Sequence, residues 1–288
     1  MELKINKLTR QYGNKLAVDR FSATFTEGIN GLLGANGSGK TTLMRMMCDI
    51  LRPTSGEVLL DGVSISTLGE DYRELLGYLP QNFGYYPDFT AWDFMMYLSS
   101  LKGLPKLTAK NRCKDLLEMV GLYEVRKKKI KTYSGGMRQR LGIAQSLIND
   151  PKILILDEPT AGLDPKERAK FRNIISDHST GKIILLSTHI VSDIEYIADK
   201  IMIMKNGQLF QEATADRICD NIKDFVWSCE VSSKDVDRYN NKFIISNLKH
   251  NGDKVELRII SEERPAENAL NVSPNLEDLY LYHFKEEA

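Results

Sequence analysis

The sequence predicts an α/β fold: a mainly parallel sheet at the core, an N-terminal antiparallel β subdomain, a helical insertion and a small C-terminal α/β domain. Three observations predict it. Ile29 to Leu33 is an apolar run that leads into a glycine-rich turn and then a segment of helical periodicity. Two further runs, ILIL at Ile153–Leu156 and IILL at Ile183–Leu186, have strand length and no alternation, as in strands covered on both faces. Between Gln81 and Leu147, by contrast, the periodicity is helical.

Taken in order, Leu3 and Ile5, then Phe21, Ala23 and Phe25, alternate as half-buried strands do. After the glycines, Leu43, Met46, Met47, Ile50 and Leu51 fall at helical spacing and predict one apolar helix face closed by Pro53. Within the insertion, the expected faces are Trp92, Met95, Met96 and Leu98, and later Leu116, Leu117, Met119 and Val120. The character changes after about Asp220. Phe225–Val231, Phe243–Leu248 and Val255–Ile260 read as strands, followed by a loop with Pro265 and Pro274 and a final helix near Leu276–Phe284. The expected division is a main domain over residues 1–219, with its helical subdomain at about 82–147, and an accessory domain over 220–288. There is no tandem repeat and no low-complexity segment.

With 288 residues and 42% hydrophobic content, the chain has enough material for a large α/β core and a smaller one. Lys+Arg and Asp+Glu both number 39, and this zero formal charge offers no broad basic field for a polyanion, which argues against nucleic acid as the main ligand. Cys48, Cys113, Cys219 and Cys229 stand far apart without metal spacing, as reduced thiols in a cytosolic compartment would. The opening MELKINKLTR has no apolar signal core, and no uncharged apolar run approaches the roughly 18 residues that span a bilayer. The expectation is a chain that does not cross a membrane by itself.

The stretch Gly34-Ala35-Asn36-Gly37-Ser38-Gly39-Lys40-Thr41, followed by Thr42, fits GxxxxGK[ST]. Glycines there let successive backbone N–H groups curl around phosphate oxygens at the positive end of a helix. Lys40 is placed to bridge β- and γ-phosphates, and Thr41 to offer its hydroxyl to Mg²⁺, so the core is a P-loop NTPase core. Asp157 and Glu158, adjacent at a strand end, point in different directions and suit different tasks. Asp157 is the candidate for the metal shell, and Glu158 for positioning the water that attacks the γ-phosphate. The basic run Arg126 to Lys131 reads as a solvated surface, and Met44, Met46 and Met47 as core filler.

Tyr133 to Asp164, YSGGMRQRLGIAQSLINDPKILILDEPTAGLD, together with the phosphate loop, resembles the ATP-binding cassette family, whose ATPase subunits drive membrane transporters. The resemblance covers roughly the first 215 residues. The family's LSGGQ loop is represented here by Tyr133-Ser134-Gly135-Gly136-Met137, with Tyr and Met as departures. The resemblance implies that Ser134, Gly135 and Gly136 contact the γ-phosphate held by a partner chain, so that two ATP molecules join a head-to-tail dimer. It implies an adenine-stacking role for Tyr12, a seam position for Asp164 and a γ-phosphate sensor in His189. It also implies that Gln81 joins the Mg²⁺ shell and links the core to the insertion, whose far surface receives the membrane subunit.

The function expected is therefore an ATP-binding and ATP-hydrolysing subunit that pairs with a second cassette, uses ATP and Mg²⁺, and powers separate membrane-spanning subunits from the cytoplasmic face. The alternative is a soluble cassette ATPase acting on ribosomes or DNA. Members on ribosomes usually carry two cassettes, and those on DNA long coiled coils, whereas this chain has one phosphate loop and a modest insertion. AGLDP, the segment YYPDFTAWDFMMYL and the tail LEDLYLYHF resemble bacterial exporter-type ATPases for drug, peptide antibiotic or ion efflux. The C-terminal region contains no readable catalytic constellation.

Overall fold

A computed structural model describes residues 1–284. The chain divides into two compact units, Met1–Gln211 and Glu212–Ala288. In the first, β1 (Leu3–Tyr12) and β2 (Lys15–Phe25) form a hairpin around Gly13, and β3 (Gly28–Leu33) enters the glycine turn that precedes α1 (Lys40–Met47). Next come β4 (Ser55–Leu60), β5 (Val63–Ser64) and two short helices, α2 (Ile65–Leu68) and α3 (Glu70–Leu75). Strand β6 (Leu76–Leu79) then leads into a helical layer of α4 (Ala91–Leu101), α5 (Lys106–Met119) and α6 (Gly135–Ser146). The chain returns through β7 (Ile153–Asp157), α7 (Pro165–Asp177), β8 (Ile183–Thr188), α8 (Ser192–Glu195), β9 (Lys200–Lys205) and β10 (Gln208–Thr214).

Two sheets result. The first is antiparallel, in the order β2-β1-β4-β5, and its register sets Leu3 opposite Phe25 and Ile5 opposite Ala23. Those residues share one buried cluster with Leu43, Met44, Met46 and Met47 of α1, so the methionines are core. The second sheet runs β10-β9-β3-β8-β7-β6, with every pairing from β9 to β6 parallel. All residues of β7 and β8 are buried, which explains their unbroken apolar runs. Each buried Ile or Leu of these runs contributes about 1.5–3 kcal/mol of transfer free energy.

Two expected helix faces differ. Helix α1 stops at Met47, because Asp49 turns to φ 56° and the amides of Ile50 and Leu51 donate back to the Arg45 carbonyl. Ile50 is consequently 54% exposed. In α4 the buried stripe is Ala91, Phe94, Met95 and Ser99, with Trp92, Met96 and Leu98 only partly covered. Ser99 is accommodated there by donating to the Met95 carbonyl, 2.8 Å away. All four cysteines are free, and burial, with the Asp157 charge nearby, pushes the Cys48 thiol well above its usual range. Among the described residues no helix is long and apolar enough to cross a membrane.

The second unit is a sheet ordered β12-β13-β11-β14, from β11 (Val226–Ser232), β12 (Ile244–Asn251), β13 (Lys254–Ile260) and β14 (Leu270–Asn271). Helices α9 (Val236–Lys242) and α10 (Leu276–His283) complete it. Asp278 ties α10 down. Its fully buried carboxylate accepts from Arg258 Nη2 at 2.7 Å, Ser246 Oγ at 2.7 Å and the Asn275 amide at 2.9 Å, the last closing a capping box. Asp278→Ala should therefore destabilise this unit by about 3 kcal/mol, because Arg258 would lose its buried counter-charge. Urea unfolding followed by the fluorescence of Trp227 tests this, and an unchanged midpoint would refute it.

Candidate functional site

Three parallel neighbours, β3, β8 and β7, end on the same side of their sheet. The phosphate loop, His189 and the Asp157-Glu158 pair follow those ends, so distant stretches of chain meet there. The loop itself is shaped by close approach. A Cβ at Gly34 would lie 2.5 Å from the Met204 carbonyl oxygen, and one at Gly39, where φ is 108°, would strike the Ala17 carbonyl. Gly39 is also the N-cap of α1, and no side chain caps that helix end.

Lys40 is buried, with Nζ 2.6 Å from the Gly34 carbonyl oxygen, 3.1 Å from that of Ala35 and 3.7 Å from Glu158 Oε1. The second Glu158 oxygen, Oε2, meets His189 Nδ1 at 2.8 Å. At an effective dielectric near 20 the Lys40–Glu158 attraction is about 4 kcal/mol, while desolvation costs several kcal/mol per ion. The pair thus adds little net stability. Glu158 is held at φ 51°, a left-handed value unusual for a residue other than glycine and more so before proline. Its amide donates to Ser187 Oγ at 3.1 Å, and the same hydroxyl donates to Asp157 Oδ1 at 2.7 Å. Asp157 Oδ2 is buried with no hydrogen-bond partner.

A cleft of about 260 Å³ opens over Lys40 and Glu158, lined also by Tyr12, Asn36, Gly37, Gly39, Thr41, Thr42 and Gln81, while Asp157 and His189 do not line it. Lys15 and Ala17 also line it. Neither carries a motif, and only the hairpin between β1 and β2 brings them there. Tyr12 is 43% exposed and has the Arg10 guanidinium 4.7 Å from its ring centre, so one face of the ring is engaged. Gly34, Ala35 and Ser38 shape the loop without lining the cleft.

Ser134, Gly135, Gly136 and Asp164 do not line it either. Ser134 is the N-cap of α6, accepting from the Met137 amide at 3.2 Å, and Asp164 is the N-cap of α7, accepting from the Glu167 amide at 2.9 Å. These two turns are neighbours, since a Cβ on Gly136 would lie 3.4 Å from Leu163. Other contacts are invisible to motif reading. Thr160 donates to the fully buried Asp193 at 2.5 Å, and Gln139 Nε2 donates to the Pro159 carbonyl at 2.7 Å. Both partners of each bond are separated by about 20 residues or more, and no local spacing announces them.

Residues 18–161 match the family model described as ABC transporter. The chain is 38% identical over 235 residues to the uncharacterized ABC transporter ATP-binding protein YxlF of Bacillus subtilis (strain 168), covering 81% of this chain and 77% of that protein. The chain belongs to the ABC transporter family. It is an ATP-binding cassette and an ATPase of that family. It is also 36% identical to the bacitracin transport ATP-binding protein BcrA of Enterococcus faecalis, over 75% of this chain and 70% of that one. Among solved structures it is similar to the dimeric post-hydrolysis state of the cassette MJ0796 bound to ADP and Pi. The TM-score is 0.68 at 26% identity, with 74% of this chain and 98% of that chain covered.

The loop geometry separates its glycines. Gly37→Ala, with φ 84° but nothing within 4 Å of the new Cβ, should cost about 1–2 kcal/mol of backbone strain and leave ATP binding measurable. Gly39→Ala and Gly34→Ala, which drive a methyl into backbone oxygens, should lose ATP binding altogether. Calorimetric titration of the three variants decides it, and equal affinities would contradict the steric account.

Proposed function

We propose that this cassette binds MgATP in the cleft over Lys40 and hydrolyses it with Glu158 aligning the attacking water. A second cassette closes each nucleotide with Ser134, Gly135, Gly136 and Asp164. The observation that carries this reading is the line from Lys40 Nζ through the Glu158 carboxylate to His189 Nδ1. A γ-phosphate entering the loop offers Lys40 a stronger anion than Glu158, which leaves Glu158 Oε1 to accept a proton from water. His189, anchored through Glu158, is the proposed donor to the same phosphate. Tyr12, exposed and lining the cleft, offers its ring to adenine.

Thr41, Gln81 and Asp157 would hold Mg²⁺, and the unpartnered Asp157 Oδ2 fits that role. When bound, the ion would supply charge neutralisation between β- and γ-phosphate oxygens. The positions of Ser134 and Asp164 support a composite site, since both are exposed helix caps outside their own chain's cleft. The likeness to BcrA, a bacitracin transport protein, and the exporter-like segments favour efflux driven through separate membrane-spanning subunits, with the cassette peripheral on the inner face. The unit from Glu212 onward is proposed as an accessory domain.

Glu158→Gln should keep ATP binding and lose roughly 10²–10⁴ in turnover, the scale of a positioned acid–base group. Near-native hydrolysis by a clean preparation of that variant would refute the assignment. The composite site has its own test. Lys40→Ala and Ser134→Arg each damage both sites of a pure dimer, whereas a mixed dimer has one site free of either change, and random exchange makes about half the dimers mixed. ATP-dependent dimerisation and hydrolysis should partly return on mixing. Full activity of pure Ser134→Arg would rule the shared site out.

A further inference from the structure

We propose that Gln139 is a positioning residue: its side-chain amide holds the Pro159 carbonyl and thereby fixes the backbone of Glu158 relative to α6. The inference rests on the role of Glu158 proposed above. Glu158 occupies a left-handed conformation directly before a proline, a combination that costs on the order of 1–3 kcal/mol and persists only where surroundings over-determine it. The restraints are few and identifiable. On the amino side, the Glu158 amide is held by Ser187 Oγ at 3.1 Å. On the carboxyl side, the Ala161 amide donates to the Glu158 carbonyl at 3.2 Å, and Thr160 is tied to Asp193. Pro159 has no N–H to contribute, so its carbonyl is the one backbone hydrogen-bonding group by which that residue can be held, and Gln139 Nε2 takes it at 2.7 Å.

The origin of this restraint gives it a use. Gln139 lies on α6, little more than one turn from Ser134, Gly135 and Gly136, and a helix of 12 residues moves as a rigid rod over that span. Arg140, the next residue, pairs with Glu167 of α7 at 2.9 Å, so α6 is also fixed to the helix that Asp164 caps. A small shift of α6 as Ser134 docks on the other chain's nucleotide is therefore delivered to the strained peptide at Glu158-Pro159. Engagement at one site is in this way felt by the glutamate of the other.

Gln139→Glu, close in shape, and Gln139→Leu both remove the donor. Each should lower kcat roughly 10-fold, the scale seen when a residue supporting a functional group is lost, with KM within about twofold. In a Glu158→Gln background neither should reduce the residual turnover further, because the group being positioned is already disabled. ATP-dependent dimerisation in that background should persist, which a merely misfolded α6 would not allow. Unchanged kcat in either variant, a raised KM with kcat preserved, loss of dimerisation, or full additivity with Glu158→Gln would each overturn the proposal. If Glu158→Gln alone hydrolyses normally, the role of Glu158 has failed; if it is inactive and both Gln139 variants are normal, only this inference has.

Discussion

Burying the ammonium of Lys40 is the constraint around which the first unit is arranged. A lone buried cation costs many kcal/mol, so the fold must set acceptors around it. Two carbonyls of its own loop and one glutamate from 118 residues further along supply them. The loop must curl tightly to turn the Gly34 and Ala35 carbonyls inward, which is why glycine stands where Met204 and Ala17 approach. The glutamate must arrive from the end of a different strand, which requires β7 to lie near β3 in the sheet.

The strand order meets that requirement through β8. It lies between β3 and β7, pairing with both in parallel, and its last residues carry the polar groups that the two neighbours need. Ser187 donates to Asp157 and accepts from the Glu158 amide, while His189, just beyond, grips the Glu158 carboxylate. Electrostatics inside a dry sheet would otherwise drive the two adjacent acids apart or neutralise them. Distinct partners instead give them distinct surroundings, Asp157 with one oxygen unspent and Glu158 clasped from both sides.

What was legible in the sequence was whatever depends on local spacing. The glycine turn and the apolar runs of β7 and β8 each follow from residues within one turn or strand. The end of α1 was not legible, because Ile50 and Leu51 keep helical spacing while the chain folds back on the Arg45 carbonyl. The stripe of α4 was misplaced for a related reason: Ser99 reads as polar, yet its hydroxyl is satisfied within its own helix and it faces inward. Lys15, Thr160, Gln139 and Asp193 left no signal, since each acquires its neighbours only from the topology. Helix α9 buries no residue, so the second unit gave no apolar face by which to find it.

The departures from the LSGGQ form have a structural answer in the roles their positions play. Tyr133 is buried, and its hydroxyl finds an acceptor in the Val125 carbonyl at 2.9 Å, so burial leaves no polar group unpaired. Met137 uses its backbone amide, not its side chain, to satisfy Ser134 Oγ at 3.2 Å. Any residue with an N–H supplies that cap, and the helix start is indifferent to the loss of glutamine there. Position 139 is different: its bond to Pro159 runs from the side-chain amide itself, and no backbone group stands in for it. The same short stretch therefore tolerates exchange where the backbone does the bonding and resists it where the side chain does.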